Sequence, residues 1–227
     1  MPVIVIANPK GGTGKTTTTL VLGTTLAQQG ASVAMLDCDK NQPLARWRTG
    51  PSRTRAKVVE NVRDETIVTL VEQEAGLNQF VLVDLEGTPN RMTSRAFSRA
   101  DLIILPLQGM PEDAEMATKA IALVREEEQA FRRTIPFRVL LTRTNASVKP
   151  RLERIIANQI RNANIPAFQT ELNQRVAYPH MFLDRLTLWE LSEENVTGLA
   201  AAQRNALELA GELVNIIASL TVKDAAE

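Results

Sequence analysis

The tightest constraint on this chain is Lys10-Gly11-Gly12-Thr13-Gly14-Lys15-Thr16, set just behind the apolar run Val3-Ile4-Val5-Ile6-Ala7. A short, continuous apolar run reads as a buried strand. Glycines at 11, 12 and 14 let the backbone turn sharply and pass close to a ligand. Successive N–H groups then face one concavity, and the N-terminus of the helix that follows adds partial positive charge. A turn of this kind binds polyphosphate. Lys15 supplies a point charge for the β- and γ-phosphates, and the Thr16 hydroxyl is a ligand for Mg²⁺. The nucleotide-binding candidates are Lys10, Gly11, Gly12, Thr13, Gly14, Lys15, Thr16 and Thr17. The spacing departs from the usual G-x-x-x-x-G-K-[ST], because Pro9 stands where the leading glycine belongs and a second lysine, Lys10, precedes the glycines.

The rest of the chain repeats a strand–helix rhythm. A helix is expected from about Thr16 to Gln29, closed by Gly30 in a left-handed cap. The run Val33-Ala34-Met35-Leu36 then leads to Asp37-Cys38-Asp39. Strand–helix–strand implies a right-handed crossover and a parallel sheet, with ligands beyond the carboxyl ends of its strands. Further strands are expected at about 80–84, 100–108, 137–142 and 167–172. Further helices are expected at about 64–77, 111–129, 149–162 and 198–220, with Ala114, Ala117, Ile121 and Val124 on one stripe. Glu126-Glu127-Glu128 reads as a solvated helix end. The fold class is α/β, a doubly wound, mostly parallel sheet flanked by helices, with residues 1–227 as a single domain.

Charge and cysteine content narrow the function classes. Twenty-six basic and twenty-six acidic residues cancel, so affinity for nucleic acid has to come from local patches. The single cysteine excludes an intramolecular disulfide and a cysteine metal cluster within one chain. The first strand starts too early to leave room for a signal peptide or a preceding DNA-binding domain, and no apolar run approaches the roughly 18 residues of a membrane span. A cytoplasmic protein is expected. Between Asp39 and Glu60 there is no acid, while Arg46, Arg48, Arg53, Arg55 and Lys57 are basic. This segment is either a surface helix whose exposed Trp47 touches DNA or a partner, or a solvated arginine face with Trp47 packed beneath.

The loop Lys10–Thr16 resembles the deviant Walker A motif, K-G-G-x-G-K-T, of the ParA/MinD ATPase superfamily. Asp37-x-Asp39, followed by Asn41-Gln42-Pro43, is similar to that family's second acidic signature. Phe80-Val81-Leu82-Val83-Asp84 is similar to its Walker B strand, and Pro106-x-Gln108 to a later strand end. The phrase Asn41-Gln42-Pro43-Leu44-x-Arg46-Trp47 resembles the VirC-type branch. The resemblance implies an ATP- and Mg²⁺-dependent ATPase in which Asp39 orients the attacking water, Lys15 and Lys10 complete the catalytic set, and Thr16, Asp37 and Asp84 serve the metal. Leu85-Glu86-Gly87-Thr88-Pro89 would be the switch loop, flexible at Gly87. In relatives an asparagine near the end of the 137–142 strand recognises adenine; here Thr142-Arg143-Thr144-Asn145 holds that place.

The same resemblance implies a homodimer closed by ATP, with Lys10 reaching the partner's nucleotide, and slow hydrolysis stimulated by a ParB-like partner. It also implies non-specific DNA binding, which places the protein on the nucleoid when ATP-bound. Asn173-Gln174-Arg175-Val176-Ala177-Tyr178-Pro179, with Phe182 and Arg185, is similar to a late family signature. By pattern, Arg175, Arg185 and Arg204 are the DNA-binding candidates, with Arg143, Arg151, Arg154 and Arg161 adding basic character upstream. A basic amphipathic tail like that of the MinD branch is not matched by Val222-Lys223-Asp224-Ala225-Ala226-Glu227, so no membrane partner is expected. The main expectation is segregation or positioning of plasmid or chromosomal DNA; an ATPase that positions a protein cargo or assembles a DNA-transfer complex without direct DNA binding is the alternative, and a ligase-like synthetase is a third reading.

Overall fold

Seven strands form one sheet in the order β3-β2-β4-β1-β5-β6-β7, and every neighbouring pair is parallel. The computed structural model describes residues 1–109 and 111–224. The strands are β1 (Val3–Ile6), β2 (Val33–Cys38), β3 (Lys57–Val59), β4 (Phe80–Leu85), β5 (Leu102–Gln108), β6 (Phe137–Thr144) and β7 (Leu172–Asn173). The helices are α1 (Lys15–Gln28), α2 (Pro43–Arg48), α3 (Ile67–Leu77), α4 (Arg91–Phe97), α5 (Pro111–Phe131), α6 (Arg151–Asn162), α7 (Ala177–Asp184) and α8 (Leu199–Asp224). The expected α/β architecture is the one observed.

The two-residue period of a strand divides the core. In β1, Ile4 and Ile6 face one apolar cluster and Val3 and Val5 the other. The first cluster takes in α1, α2, α7 and α8; the second takes in α3, α4, α5 and α6. Both faces of β1 are covered, so all four of its residues are buried and the strand reads as unbroken hydrophobicity.

Helix α1 is enclosed from Thr18 to Leu26. Thr24 and Thr25 tolerate burial because they donate their hydroxyls to the carbonyls of Leu20 and Val21 one turn back. Gly23 lies against β2: a Cβ there would come 2.4 Å from Met35 Sδ. Helix α8 has the length and composition of a membrane-crossing segment over Leu199–Val222. Its apolar stripe, Leu199, Ala202, Ala206, Leu209 and Leu213, is instead buried in the core cluster that contains α1.

Several local expectations change. Trp47 is 1% exposed, so its ring belongs to the core and is no surface contact. Three elements go beyond the sequence reading: β3 is only three residues long, and α4 and α7 are short helices without a full apolar repeat. The expected strand at 167–172 is a single bridge at Ala167 followed by β7. Glu126–Glu128 is more than a solvated end. Glu127 accepts from Ser94, and Glu128 accepts from the Ile135 N–H and pairs with Arg125. Ala117 and Val124 are buried as the stripe requires, and Ile121 is partly buried. The side chain of Ala114 and the last three residues of the acidic tail lie outside the described residues.

Candidate functional site

Beyond the carboxyl ends of β1, β2 and β4, the glycine loop, Asp37, Asp39 and Asp84 come together. Gly12 and Gly14 take the left-handed conformations that the turn requires, at φ +77° and +94°. Lys15 is buried and donates to the carbonyls of Asn8 at 3.3 Å and Lys10 at 3.1 Å. Burial holds its ammonium below the usual lysine range, against the attraction of Asp84, Asp39 and Glu86. The loop is braced from neighbouring strands. Asn8 bridges the Pro106 carbonyl and the Lys10 N–H, the Gln108 amide donates to the Gly12 carbonyl at 2.6 Å, and the Thr142 hydroxyl donates to the Thr13 carbonyl at 2.8 Å.

Asp84 is completely buried at the end of β4. Burial pushes its carboxyl up to about 7, with the Thr16 hydroxyl opposing the shift. Thr19 donates to Oδ1 at 3.4 Å, while Oδ2 is buried without a hydrogen-bond partner among the described residues. An unpartnered carboxylate oxygen beside a threonine hydroxyl is a hard, oxygen-only donor set of the kind that holds Mg²⁺ through water. Asp37 differs. Its Oδ2 accepts the Ala45 N–H at 2.9 Å and its Oδ1 the Asp39 N–H at 3.3 Å, so backbone already engages both oxygens. Asp37 thus ties the first turn of α2 to the end of β2. Asp39 is half-buried and accepts the Asn41 N–H at 2.7 Å, which fixes the loop that carries it.

Two residues near the site carry contacts that the sequence reading does not assign. Glu86 lies two residues after Asp84, just past the end of β4. It pairs with Lys40 at 3.3 Å and so links the β4 loop to the Asp39 loop. An acidic residue just past the carboxyl end of the β4 strand is the signal that could have found it. Thr142 enters the sequence reading only as a replacement, because its brace on the glycine loop is a long-range contact. Gly87 owes its identity to a close approach: a Cβ there would lie 3.2 Å from the Gly11 nitrogen.

A cavity of about 520 Å³ opens beside Gly14 and Thr17, walled by Thr142, Arg143 and the stretch from Leu172 to Phe182. Its size suits a nucleoside next to the phosphate loop. Arg175 is in its lining, and its Nε is buried without a hydrogen-bond partner among the described residues. Arg185, at the end of α7, is exposed and donates to the Thr49 hydroxyl at 2.9 Å. Arg204 is exposed on α8. The three arginines picked by pattern therefore do not share one environment.

Sheet, crossover and loop together define a P-loop nucleotide-binding protein of the ParA/MinD type, with two lysines in the phosphate loop. More narrowly, residues 1–224 match the model of the VirC1 protein family, and the chain belongs to that family. It is 36% identical over 183 residues to the ParA protein of Rhizobium radiobacter, covering 80% of this chain and 82% of the relative. It is 26% identical to the virC1 protein of the same organism, with 98% of each chain aligned. Among solved structures, the MinD cell division protein of Aquifex aeolicus superposes with a TM-score of 0.72 at 18% identity, over 95% of this chain and 98% of that one. The family is one of partition and positioning ATPases.

Proposed function

We propose that residues 1–227 act as one ATP-switched domain that dimerises on ATP and Mg²⁺, binds DNA non-specifically, and partitions or positions DNA, with slow hydrolysis that a ParB-like partner accelerates. The observation that carries this reading is the pairing of a two-lysine phosphate loop with the buried, unpartnered oxygen of Asp84. Thr16 and Asp84 would hold Mg²⁺, which supplies charge neutralisation at the β- and γ-phosphates. Lys15, once it exchanges the Asn8 and Lys10 carbonyls for phosphate oxygens, neutralises the same charge from the protein side. Asp39 orients a water, the one task that phosphoryl transfer leaves after positioning and charge stabilisation. Asp37 acts by holding α2 and the Asp39 loop in place. Lys10 reaches the partner's nucleotide, so that only the triphosphate joins two subunits; this differential contact is what makes ATP a switch. The cavity lined by Thr142 and Asn173 takes the nucleoside. The expected location is the cytoplasm, on the nucleoid in the ATP state.

Sedimentation with ATP, ADP or no nucleotide, with and without random duplex DNA, tests the reading. A dimer with ATP alone that is retained on DNA at low salt supports it; a monomer in every condition refutes it. Two relatives at 24% and 29% identity are named for maintaining carboxysome distribution, which keeps a protein cargo as the second reading. An ATP dimer that ignores DNA would favour that one.

A further inference from the structure

Beside the nucleotide site, at the β3 edge of the sheet, lies a face whose chemistry the phosphate loop does not use. From Lys40 to Val59 there is no carboxylate and there are six cations. Three are occupied: Lys40 pairs with Glu86, Lys57 with Glu74, and Arg48 donates to the carbonyls of Ser52 and Thr54. Arg46, Arg53 and Arg55 are exposed, and among the described residues no carboxylate pairs with them. Arg185 joins the same face through its hydrogen bond to Thr49, and its Cβ stands where a side chain on Gly50 would be, 2.1 Å away. Arg46 and Arg185 both line a hollow of about 250 Å³ floored by Trp47.

The loop is held rather than loose. Glu190 accepts the Arg53 N–H at 2.6 Å, the Ser52 hydroxyl at 2.7 Å and the Thr187 N–H at 2.9 Å. These hydrogen bonds go to backbone and hydroxyl groups that keep the loop in shape, and no guanidinium of the loop takes part in them. The arginine segment itself carries little of the apolar area on which a protein interface centres, the exposed Leu183 near Arg185 on α7 being the exception. Residues 40–59 expose no large apolar side chain, and the one large ring, Trp47, is core. Protein interfaces centre on an apolar patch, whereas a polyanion needs only fixed, unpaired guanidinium groups.

We propose that Arg46, Arg53, Arg55 and Arg185 form the surface that contacts DNA phosphates, held in place by Glu190 and by the Asp37 hydrogen bond to α2. The proposal rests on the DNA-binding reading above and says where that binding occurs. The Asp37 Oδ2 accepts the N–H of Ala45, the residue before Arg46, so the first turn of α2 is tied to the end of β2 beside the phosphate loop. Phosphate contacts of this kind carry no base information, so binding is sequence-independent.

The experiment measures affinity for random duplex DNA in ATP and Mg²⁺ at salt from about 50 to 200 mM. It compares wild type, the triple variant Arg46→Ala/Arg53→Ala/Arg55→Ala, the triple lysine variant and Arg204→Ala. The salt slope of log K should fall by about 0.9 per contact removed, so by nearly 3 per subunit in the alanine triple and by up to about 5 for a dimer bound through both copies. The lysine triple should keep the slope, and nucleotide affinity and thermal midpoint should match wild type in both. An alanine triple with the wild-type slope, or with its loss explained by a fallen midpoint, overturns the surface while leaving the ATPase reading intact. So does an Arg204→Ala variant that loses as much slope as the triple. A wild type that binds no DNA in ATP overturns both.

Discussion

Asp84→Asn should stabilise the nucleotide-free protein while destroying its Mg²⁺-dependent activity. The Asp84 carboxyl is fully buried, and its pKa rises from 3.8 to about 7. At 1.36 kcal/mol per unit, ionising it in the folded state costs about 4 kcal/mol more than in the unfolded chain. Because the folded state keeps this proton to higher pH, the stability it contributes is complete below pH about 4. That stability is lost as pH rises through about 7. Asparagine has the same shape and cannot ionise. Urea denaturation of apoprotein, without metal, should therefore show wild type weakening between pH 5 and 8. The variant should show a flatter profile, leading wild type by about 2–4 kcal/mol at pH 8. An Asp84→Asn protein less stable than wild type at pH 8, or with the same slope, would refute the claim that the buried charge is uncompensated in the apo state.

Other substitutions separate the remaining roles. Trp47→Ala should cost about 3–5 kcal/mol in urea denaturation, since the ring is buried and its Nε1 donates to the Leu186 carbonyl at 3.3 Å. Burial pushes the Glu190 carboxyl up, but its hydrogen bonds from Thr187, Arg53 and Ser52 together outweigh that and leave it below its ordinary 4.5. The stability it adds is thus present above that value and fades as pH falls, and Glu190→Gln should abolish this acid-side loss in a denaturation series from pH 3 to 6. Gly87→Ala should weaken nucleotide binding several-fold in a fluorescent-ATP titration, because its methyl would press on the backbone nitrogen of Gly11 at 3.2 Å. Asp39→Ala should keep ATP-dependent dimerisation in sedimentation and lose phosphate release; normal turnover would remove Asp39 from the chemistry.

The glycine loop itself was legible in the sequence, because its geometry is local: the glycines, two lysines and two threonine hydroxyls sit within seven residues. The parallel sheet was legible for a related reason, since strands covered on both faces must be continuously apolar. Asp84 was legible as the polar stop of such a strand. Roles that depend on long-range contact were not legible. Whether Trp47 faces DNA or the core is decided by α7, α8 and the Leu186 carbonyl, 139 residues along the chain. That Asp37 is engaged by the start of α2, that Thr142 and Gln108 brace the glycine loop, and that Arg175 faces a cavity while Arg185 joins the α2 loop, all follow from how the sheet brings chain ends together. An arginine's charge is written in its residue type. What it can touch depends on which carboxylates and carbonyls the fold places within about 3 Å, and only the tertiary structure fixes that set.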